Sequence, residues 1–444
     1  MGESDRRPWL THAEATRVDQ LLGFFESLSP EQAAAQITAY ARRSDVRYDE
    51  ESIVLYAGTN VMDPKARALL ASSLGSRPSL GQPGGKYETG LEDAESVETG
   101  CLELARHVFG APYVEFRVAS GSLANLYAFM ALTKPGDTIL TLPTSAGGHA
   151  THRETGAAGL YGLRIVDIPW DSERMVVDVE GLAKVARRER PRIILLGGSL
   201  VLFPYPVREA RAIADEVGAA LMYDAAHVSA LITTAGSEHF QSPLDEGAHV
   251  VTLSTYKSLG GPTGGMLLTR DIALAERIES IAYPGLTANF DDGRVAALAV
   301  SLAGFSLFGA EYVAAMLANG QMFASALAEH GLPVIAAEHG FTATHHVALD
   351  ARPFGGGDHA ARRLARCAIH SSGIGLPCAE IDGDYNGLRF GVQEVTRWGM
   401  GPAQMRILAG LVADRLLDRR DVRDIWRDVR TLKGDFQHLR YALP

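Results

Sequence analysis

The sequence predicts an α/β fold: a large, mostly parallel seven-stranded sheet covered by helices, joined to a smaller C-terminal α+β domain. Three observations predict it. Seven strand-sized apolar runs, at 113–118, 138–142, 164–168, 192–196, 220–223, 250–254 and 265–269, alternate with helix-sized segments, the rhythm of βαβ units buried on both faces. Near Gly304-Phe305 that rhythm gives way to a long helical stretch, and from about Gly331 the chain reads as a mixed region. A length of 444 residues suits a large domain carrying a second one. The expected division is an N-terminal helical arm over 1–51, a large domain over 52–315 and a small domain over 316–444.

Taken in order, the arm reads as two helices, because Leu21, Leu22, Phe24 and Phe25 recur at helical spacing and Ser29-Pro30 interrupts them with a capping residue. Its apolar face packs either on a neighbouring subunit or on the body of its own chain. The first run leads into Ser120-Gly121-Ser122 and then a helix; free amides at such a helix start can cradle a phosphate. After the second run, Gly147 and Gly148 allow close approach and place His149 where it can stack on an aromatic ring. The fifth ends in Asp224, with His227 three residues on. The sixth delivers Thr255, Tyr256 and Lys257 onto a glycine-rich turn ending at Gly265, at the carboxyl end of a strand, where open α/β sheets hold ligands.

A primary amine there can form a Schiff base with an aldehyde cofactor, and a strand-tip carboxylate can keep a pyridine nitrogen protonated, which lets pyridoxal 5'-phosphate (PLP) act as an electron sink. Each residue also has a plainer reading: Lys257 as a surface lysine, Asp224 as a helix cap, Ser120–Ser122 as ordinary loop, His149 as a structural histidine. Phosphate loop, ring-stacking histidine, strand-tip acid and amine together are what one cofactor requires.

Composition narrows the partners. With 46% apolar and 21% charged residues, the chain has enough apolar surface to fold. A net charge of -11 leaves little for counterion release to act through, so nucleic acid is not an expected partner. Cys101, Cys367 and Cys378 are scattered, without a CxxC pattern, which argues against a disulfide framework and a metal site and for a reducing cytoplasm. Residues 1–10 lack a secretory apolar stretch, and no uninterrupted apolar run of membrane-spanning length stands out, so neither export nor membrane attachment is expected.

The motifs resemble those of the serine hydroxymethyltransferase family, PLP enzymes of the aspartate aminotransferase fold (fold type I). Members carry Ser-Gly-Ser-x-Ala-Asn, Gly-Gly-His-x-Thr-His, Asp-x-Ala-His and Thr-His-Lys-x-Leu-x-Gly-Pro-x-Gly-Gly. These stand here at 120–125, 147–152, 224–227 and 255–265. The resemblance implies phosphate contacts from the loop of Ser120, Gly121 and Ser122 and from Thr255, a stacked His149, an Asp224 paired with the ring nitrogen, and His227 and Ser199 near the ring hydroxyl. It makes Lys257 the Schiff-base lysine and Arg389 the holder of the substrate carboxylate, whose guanidinium fork suits that task. It also implies a homodimer or a dimer of dimers, with Gly285 reaching a neighbour's site.

Departures cluster at the entrance. The family's Ala-Ser-Glu-Asn is Ala57-Gly58-Thr59-Asn60, leaving Gly58 and Thr59 beside the substrate, and its proton-transfer glutamate aligns with Leu80. The histidine before the lysine is Tyr256, and Glu88 is a shifted candidate carboxylate. A leucine moves no proton. The expectation is therefore an aldol-type enzyme that breaks or makes the Cα–Cβ bond of a β-hydroxy amino acid or glycine, working as an aldolase or transaldolase with a small amino acid and an aldehyde acceptor, and with tetrahydrofolate in doubt. The alternatives are a folate-dependent hydroxymethyltransferase for serine or α-methylserine and a PLP-binding paralogue without turnover.

Overall fold

The computed structural model describes residues 7–444, and all seven apolar runs are strands of one sheet. They are β1 (Tyr113–Val118), β2 (Thr138–Thr141), β3 (Arg164–Asp167), β4 (Ile193–Gly197), β5 (Ala220–Asp224), β6 (Val250–Ser254) and β7 (Gly265–Thr269), ordered β1-β7-β6-β5-β4-β2-β3. Neighbours from β3 through β6 pair in parallel, whereas β7 runs antiparallel to both β6 and β1. The short glycine-rich turn after Lys257 leaves no room for a crossover helix, so β7 must return alongside β6. Every residue of β4, β6 and β7 is buried, which explains why they read as continuous apolar runs rather than alternating ones. At the edge, β3 exposes Arg164 and Asp167, charges that discourage a further strand from pairing.

Two capped helices, α1 (His12–Glu26) and α2 (Pro30–Asp45), form the arm, each started by a capping box, from Thr11 and from Ser29. Neither buries a residue; the rings of Phe25 and Tyr40 lie 6.4 Å apart. The residues before Ile53 form one compact unit and Ile53–Pro444 a second. Within the second, α3 (Glu92–Phe109) and α4 (Gly121–Leu132) flank the sheet.

The long helix α5 (Asp292–Glu329) spans 38 residues, starting well before Gly304 and running unbroken across the expected 315/316 boundary. It is long and apolar enough, by length and composition, to cross a membrane, although no run of that length was expected. Its inner face, with Val295, Leu298, Leu302, Val313, Met316 and Phe323 buried, packs on α3 and on the helix Pro402–Leu416, as a central core helix does. Beyond it, β8 (His346–Asp350), β9 (Ser372–Ile374) and β10 (Gly387–Gly391) form an antiparallel sheet ordered β8-β10-β9. Arg389 lies in the middle of its central strand.

Candidate active site

Asp224, the last residue of β5, is buried and fully engaged. Its Oδ2 accepts hydrogen bonds from Asn125 Nδ2 and His152 Nε2, both at 2.8 Å, and its Oδ1 accepts from the Ala226 backbone N–H at 2.8 Å. Thr252 on β6 donates to Asn125 Oδ1 at 2.6 Å, which turns the Asn125 amide nitrogen toward the acid. Burial alone would push the carboxyl up, yet the His152 hydrogen bond and the neighbouring histidines hold it below the usual carboxylate range. Asp224 is therefore an anion across the physiological range.

Three residues beyond β6, Lys257 is buried, with Nζ 3.0 Å from His227 Nε2. Burial, assisted by Arg389 and opposed by Asp224, pulls its pKa down to about 8. A sizeable fraction is thus free base near neutrality, the form that attacks an aldehyde. Burial first, then the Lys257 and Arg389 charges, keeps His227 well below its ordinary value, so it meets the lysine as a neutral acceptor. The His346 ring packs edge-on against His227, with centroids 5.2 Å apart. His149 is pulled down to about 4, chiefly by burial. Its Nδ1 accepts from the Thr151 backbone N–H at 3.1 Å, which leaves its proton on Nε2. A side chain at Gly148 would collide with the backbone, since a Cβ there would stand 2.2 Å from the Leu142 carbonyl oxygen. The glycine lets this loop lie against the end of β2.

Lys257, His149, His227, Tyr256, Ser199, Gly58 and Arg389 line one cavity of about 700 Å³. Arg389 is buried, donates to the Ser199 carbonyl and to Ser372 Oγ, and keeps an Nε without a partner among the described residues. Burial lowers it to about 10, which leaves it a cation at neutral pH. The cavity thus sets Lys257 and Arg389 beside the uncharged imidazoles of His149 and His227, with the Asp224 anion behind them, while Arg153, Glu154 and Asp358 bring further charged side chains to its wall.

Other expected residues stand elsewhere. Ser120 caps α4, its Oγ accepting from the Leu123 N–H at 3.2 Å, with Gly121 and Ser122 beside it; none of the three is among the cavity's lining residues. Thr255 is buried and donates to the Pro262 carbonyl at 2.5 Å, tying its hydroxyl into the turn. Thr59 donates to Glu394 at 3.2 Å. Glu88 accepts from the Leu80 N–H at 3.1 Å, and Gly285 is exposed; neither lines this chain's cavity. Ser199 enters through its carbonyl oxygen as well as its position. Asn125, His152, His346 and Tyr56 went unassigned from sequence. The first two close the Ser-Gly-Ser and Gly-Gly-His motifs, a signal present but unread, whereas His346 and Tyr56 sit in no motif.

The serine hydroxymethyltransferase profile matches residues 31–412. The chain belongs to that family. Over 435 residues it is 45% identical to an α-methylserine aldolase of Ralstonia sp., covering 98% of this chain and 99% of the relative. Against one from Variovorax paradoxus it is 47% identical over 438 residues, 99% and 98% of the two chains. A serine hydroxymethyltransferase of Methanopyrus kandleri is 41% identical over 396 residues, 88% and 91% of the two. In structure the chain is similar to an L-threonine transaldolase from Pseudomonas fluorescens, with a TM-score of 0.82 and 26% identity over 93% of this chain and 95% of that one.

This member of the serine hydroxymethyltransferase family has the PLP fold type I architecture and is a PLP-dependent enzyme of aldol type. Its own residues fit the cofactor. Lys257 offers a partly unprotonated amine to an aldehyde, Asp224 a permanent anion to a pyridinium, and His227 a buried Nδ1 that has no partner among the described residues.

Proposed function

We propose that this protein is a folate-independent aldolase that cleaves the Cα–Cβ bond of an α-substituted serine, with α-methylserine yielding alanine and formaldehyde. The observation that carries the reading is the joining of Lys257 and Arg389 in one cavity, an aldehyde-binding amine beside a carboxylate-binding guanidinium. Near full-length identity of 45% and 47% to relatives named for α-methylserine supports the substrate. Leu80 at the position of the family's proton-transfer glutamate supports independence from folate.

When bound, PLP supplies the electron sink that receives the pair released as Cα–Cβ breaks. Lys257 would hold its aldehyde carbon, Asp224 the proton on its ring nitrogen, and His227 and Ser199 its ring hydroxyl. The amides of Gly121 and Ser122, at a helix start capped by Ser120, would hold its phosphate, Thr255 would shape the turn beside it through its bond to the Pro262 carbonyl, and His149 would pack on the ring without adding charge. Arg389, which shares the cavity wall with Gly58, would fix the substrate carboxylate and so set which bond at Cα breaks. The β-hydroxyl proton must leave as the aldehyde departs, and a proton must return to Cα. With its pKa near 8, the Lys257 amine can carry such protons. Burial pushes the Tyr256 phenol up, so it keeps its hydrogen and can offer the β-oxygen a hydrogen bond only, leaving the β-hydroxyl proton to pass to the Lys257 amine.

Glu88 and Gly285 stand outside their own chain's cavity, which supports a homodimer whose partner brings them in; an active, fully loaded monomer in sedimentation would remove that arrangement. The three cysteines are unpaired, which supports a reducing cytoplasm. The functional test is release of formaldehyde from α-methyl-L-serine and L-serine, and of acetaldehyde from L-threonine, each with and without tetrahydrofolate. Release from α-methylserine that ignores folate is expected. Strict folate dependence means a hydroxymethyltransferase, aldehyde exchange from threonine a transaldolase, and full cofactor loading without turnover a binding protein.

A further inference from the structure

Tyr56 faces the cavity and has no part in the site as assembled so far. The Arg389 guanidinium carbon lies 5.9 Å from the centre of its ring. Tyr256, another cavity residue, has its phenol pushed up by burial first and by Tyr56 second, so Tyr56 sits within electrostatic reach of both. Among the described residues its hydroxyl meets no hydrogen-bond partner, and the Nε of Arg389 is likewise buried without one. An unmatched donor beside an under-used buried cation marks a place prepared for an external acceptor.

What lets the ring stand there is Gly58. A Cβ on residue 58 would lie 2.9 Å from Tyr56 Cε1, 3.0 Å from Cζ and 3.1 Å from the phenol oxygen. Gly58 is not among the positive-φ glycines, so the position forbids a side chain rather than requiring a special backbone. The space a residue-58 side chain would fill is filled by the tyrosine's hydroxyl end. Residues 56 and 58 thus act as one unit, in which the longer side chain brings a hydroxyl to the arginine.

We propose that Tyr56 is a substrate-binding residue: its hydroxyl donates a second hydrogen bond to the amino-acid carboxylate held by Arg389, and Gly58 is the vacancy that admits it. The proposal rests on reading Arg389 as the carboxylate site. It predicts that recognition of the carboxylate, and not cofactor capture or folding, depends on the phenol oxygen.

The test titrates holoenzyme with L-alanine, followed by the absorbance of the bound cofactor, so that no turnover is required. Tyr56→Phe should raise the dissociation constant roughly tenfold to a hundredfold, the worth of one hydrogen bond to a charged group. L-Alaninamide, which lacks the carboxylate, should bind wild type and Tyr56→Phe alike, and cofactor content and melting temperature should not move. Gly58→Ala, which crowds the ring, should weaken alanine in the same direction. Tyr56→Leu combined with Gly58→Ser, which returns a short hydroxyl to the vacated space, should recover part of the loss. Alanine binding unchanged within about twofold in Tyr56→Phe overturns the proposal, as does an equal loss for alaninamide, which would mark a general effect on the cavity. Failure of Arg389→Lys to weaken alanine would instead remove the carboxylate-site reading, and alanine binding without formaldehyde release would remove only the substrate assignment.

Discussion

The cavity interior and the segment 77–90 are both built on buried charge. In the cavity, Asp224 is satisfied by groups from two other elements and by the Ala226 backbone N–H, while Lys257 is left with a lowered pKa, a neutral histidine 3.0 Å away and the Tyr256 ring centre at 5.9 Å. In the segment, Lys86 is gripped by both oxygens of Glu98 at 2.6 and 2.7 Å, Ser79 donates to the same carboxylate at 2.6 Å, and both charged side chains are almost wholly buried. One region keeps a charge uncompensated so that it can react; the other closes its charges on each other so that it can hold position. Leu80 and Glu88 stand outside that ion cluster and are joined to each other, the Leu80 N–H donating to the Glu88 carboxylate at 3.1 Å.

If the contrast is right, removing the two lysines should have opposite signatures. Lys257→Ala should abolish formaldehyde release by at least about a thousandfold, the scale expected for a lost covalent catalytic group, while the melting temperature holds or rises because a poorly compensated buried amine is gone. Lys86→Met should do the reverse: chemistry per folded molecule persists, but Glu98 is left buried without its cation, at a cost of about 3–5 kcal/mol. Chemical denaturation alongside single-turnover rates distinguishes the two, and a large activity loss in Lys86→Met at full folding would show that the segment is catalytic rather than a scaffold.

A smaller effect sharpens the reactive side of the contrast. Lys257 has its pKa lowered to about 8, chiefly by burial, and only its free base attacks an aldehyde. The rate constant for PLP capture by cofactor-free protein should therefore climb with pH, by up to about tenfold per unit well below the pKa, and level off above about pH 8. Stopped-flow absorbance reads this directly. A profile still rising steeply at about pH 10 would mean the amine has the pKa of an ordinary exposed lysine.

How much of this was visible in the sequence follows from how far each feature depends on chain folding. The strands buried on both faces, β4, β6 and β7, are continuous apolar runs, and the rest, even the edge strand β3 with its Ile165-Val166 pair, keep enough apolar residues that all seven could be read with ends shifted by a residue or so. Lys257 and Asp224 stood at strand tips, where the sheet itself brings them together. The start of α5 was missed because its apolar residues spread round the whole helix and so lack a periodic face; the signal was Asp291, whose carboxylate accepts from the Arg294 N–H at 3.0 Å. His152 meets Asp224 across 72 residues of chain, and Tyr56 meets Arg389 across more than three hundred. No local spacing records either encounter. Ser199 was expected near the cofactor's ring hydroxyl; that its carbonyl also receives the Arg389 guanidinium could not be read, because side-chain patterns say nothing of backbone oxygens.

The smallest expected effect lies where the two regions' logic meets, at Asp292. This first residue of α5 is 1% exposed, keeps Oδ1 without a hydrogen-bond partner, and sits near the Lys86–Glu98 pair. Burial first and Glu98 second raise its pKa to about 6, against help from Ser79 and Lys86. The sign follows from linkage: a carboxyl whose pKa is higher in the folded state favours folding when protonated. Its contribution is therefore intact below the unfolded value near 4, declines as pH rises to about 6, and is flat beyond. Asp292→Asn removes that decline, so the variant should melt a few degrees above wild type at about pH 8, where the penalty is on the order of 2 kcal/mol, and close to it at about pH 4. The lost attraction between a carboxylate and the start of α5 offsets part of the gain, by up to about 1 kcal/mol. A variant less stable at the higher pH would mean that Asp292 is ionised and well paired with Lys86. Segment 77–90 would then be held by a three-membered ion cluster rather than by the Lys86–Glu98 pair and its serine.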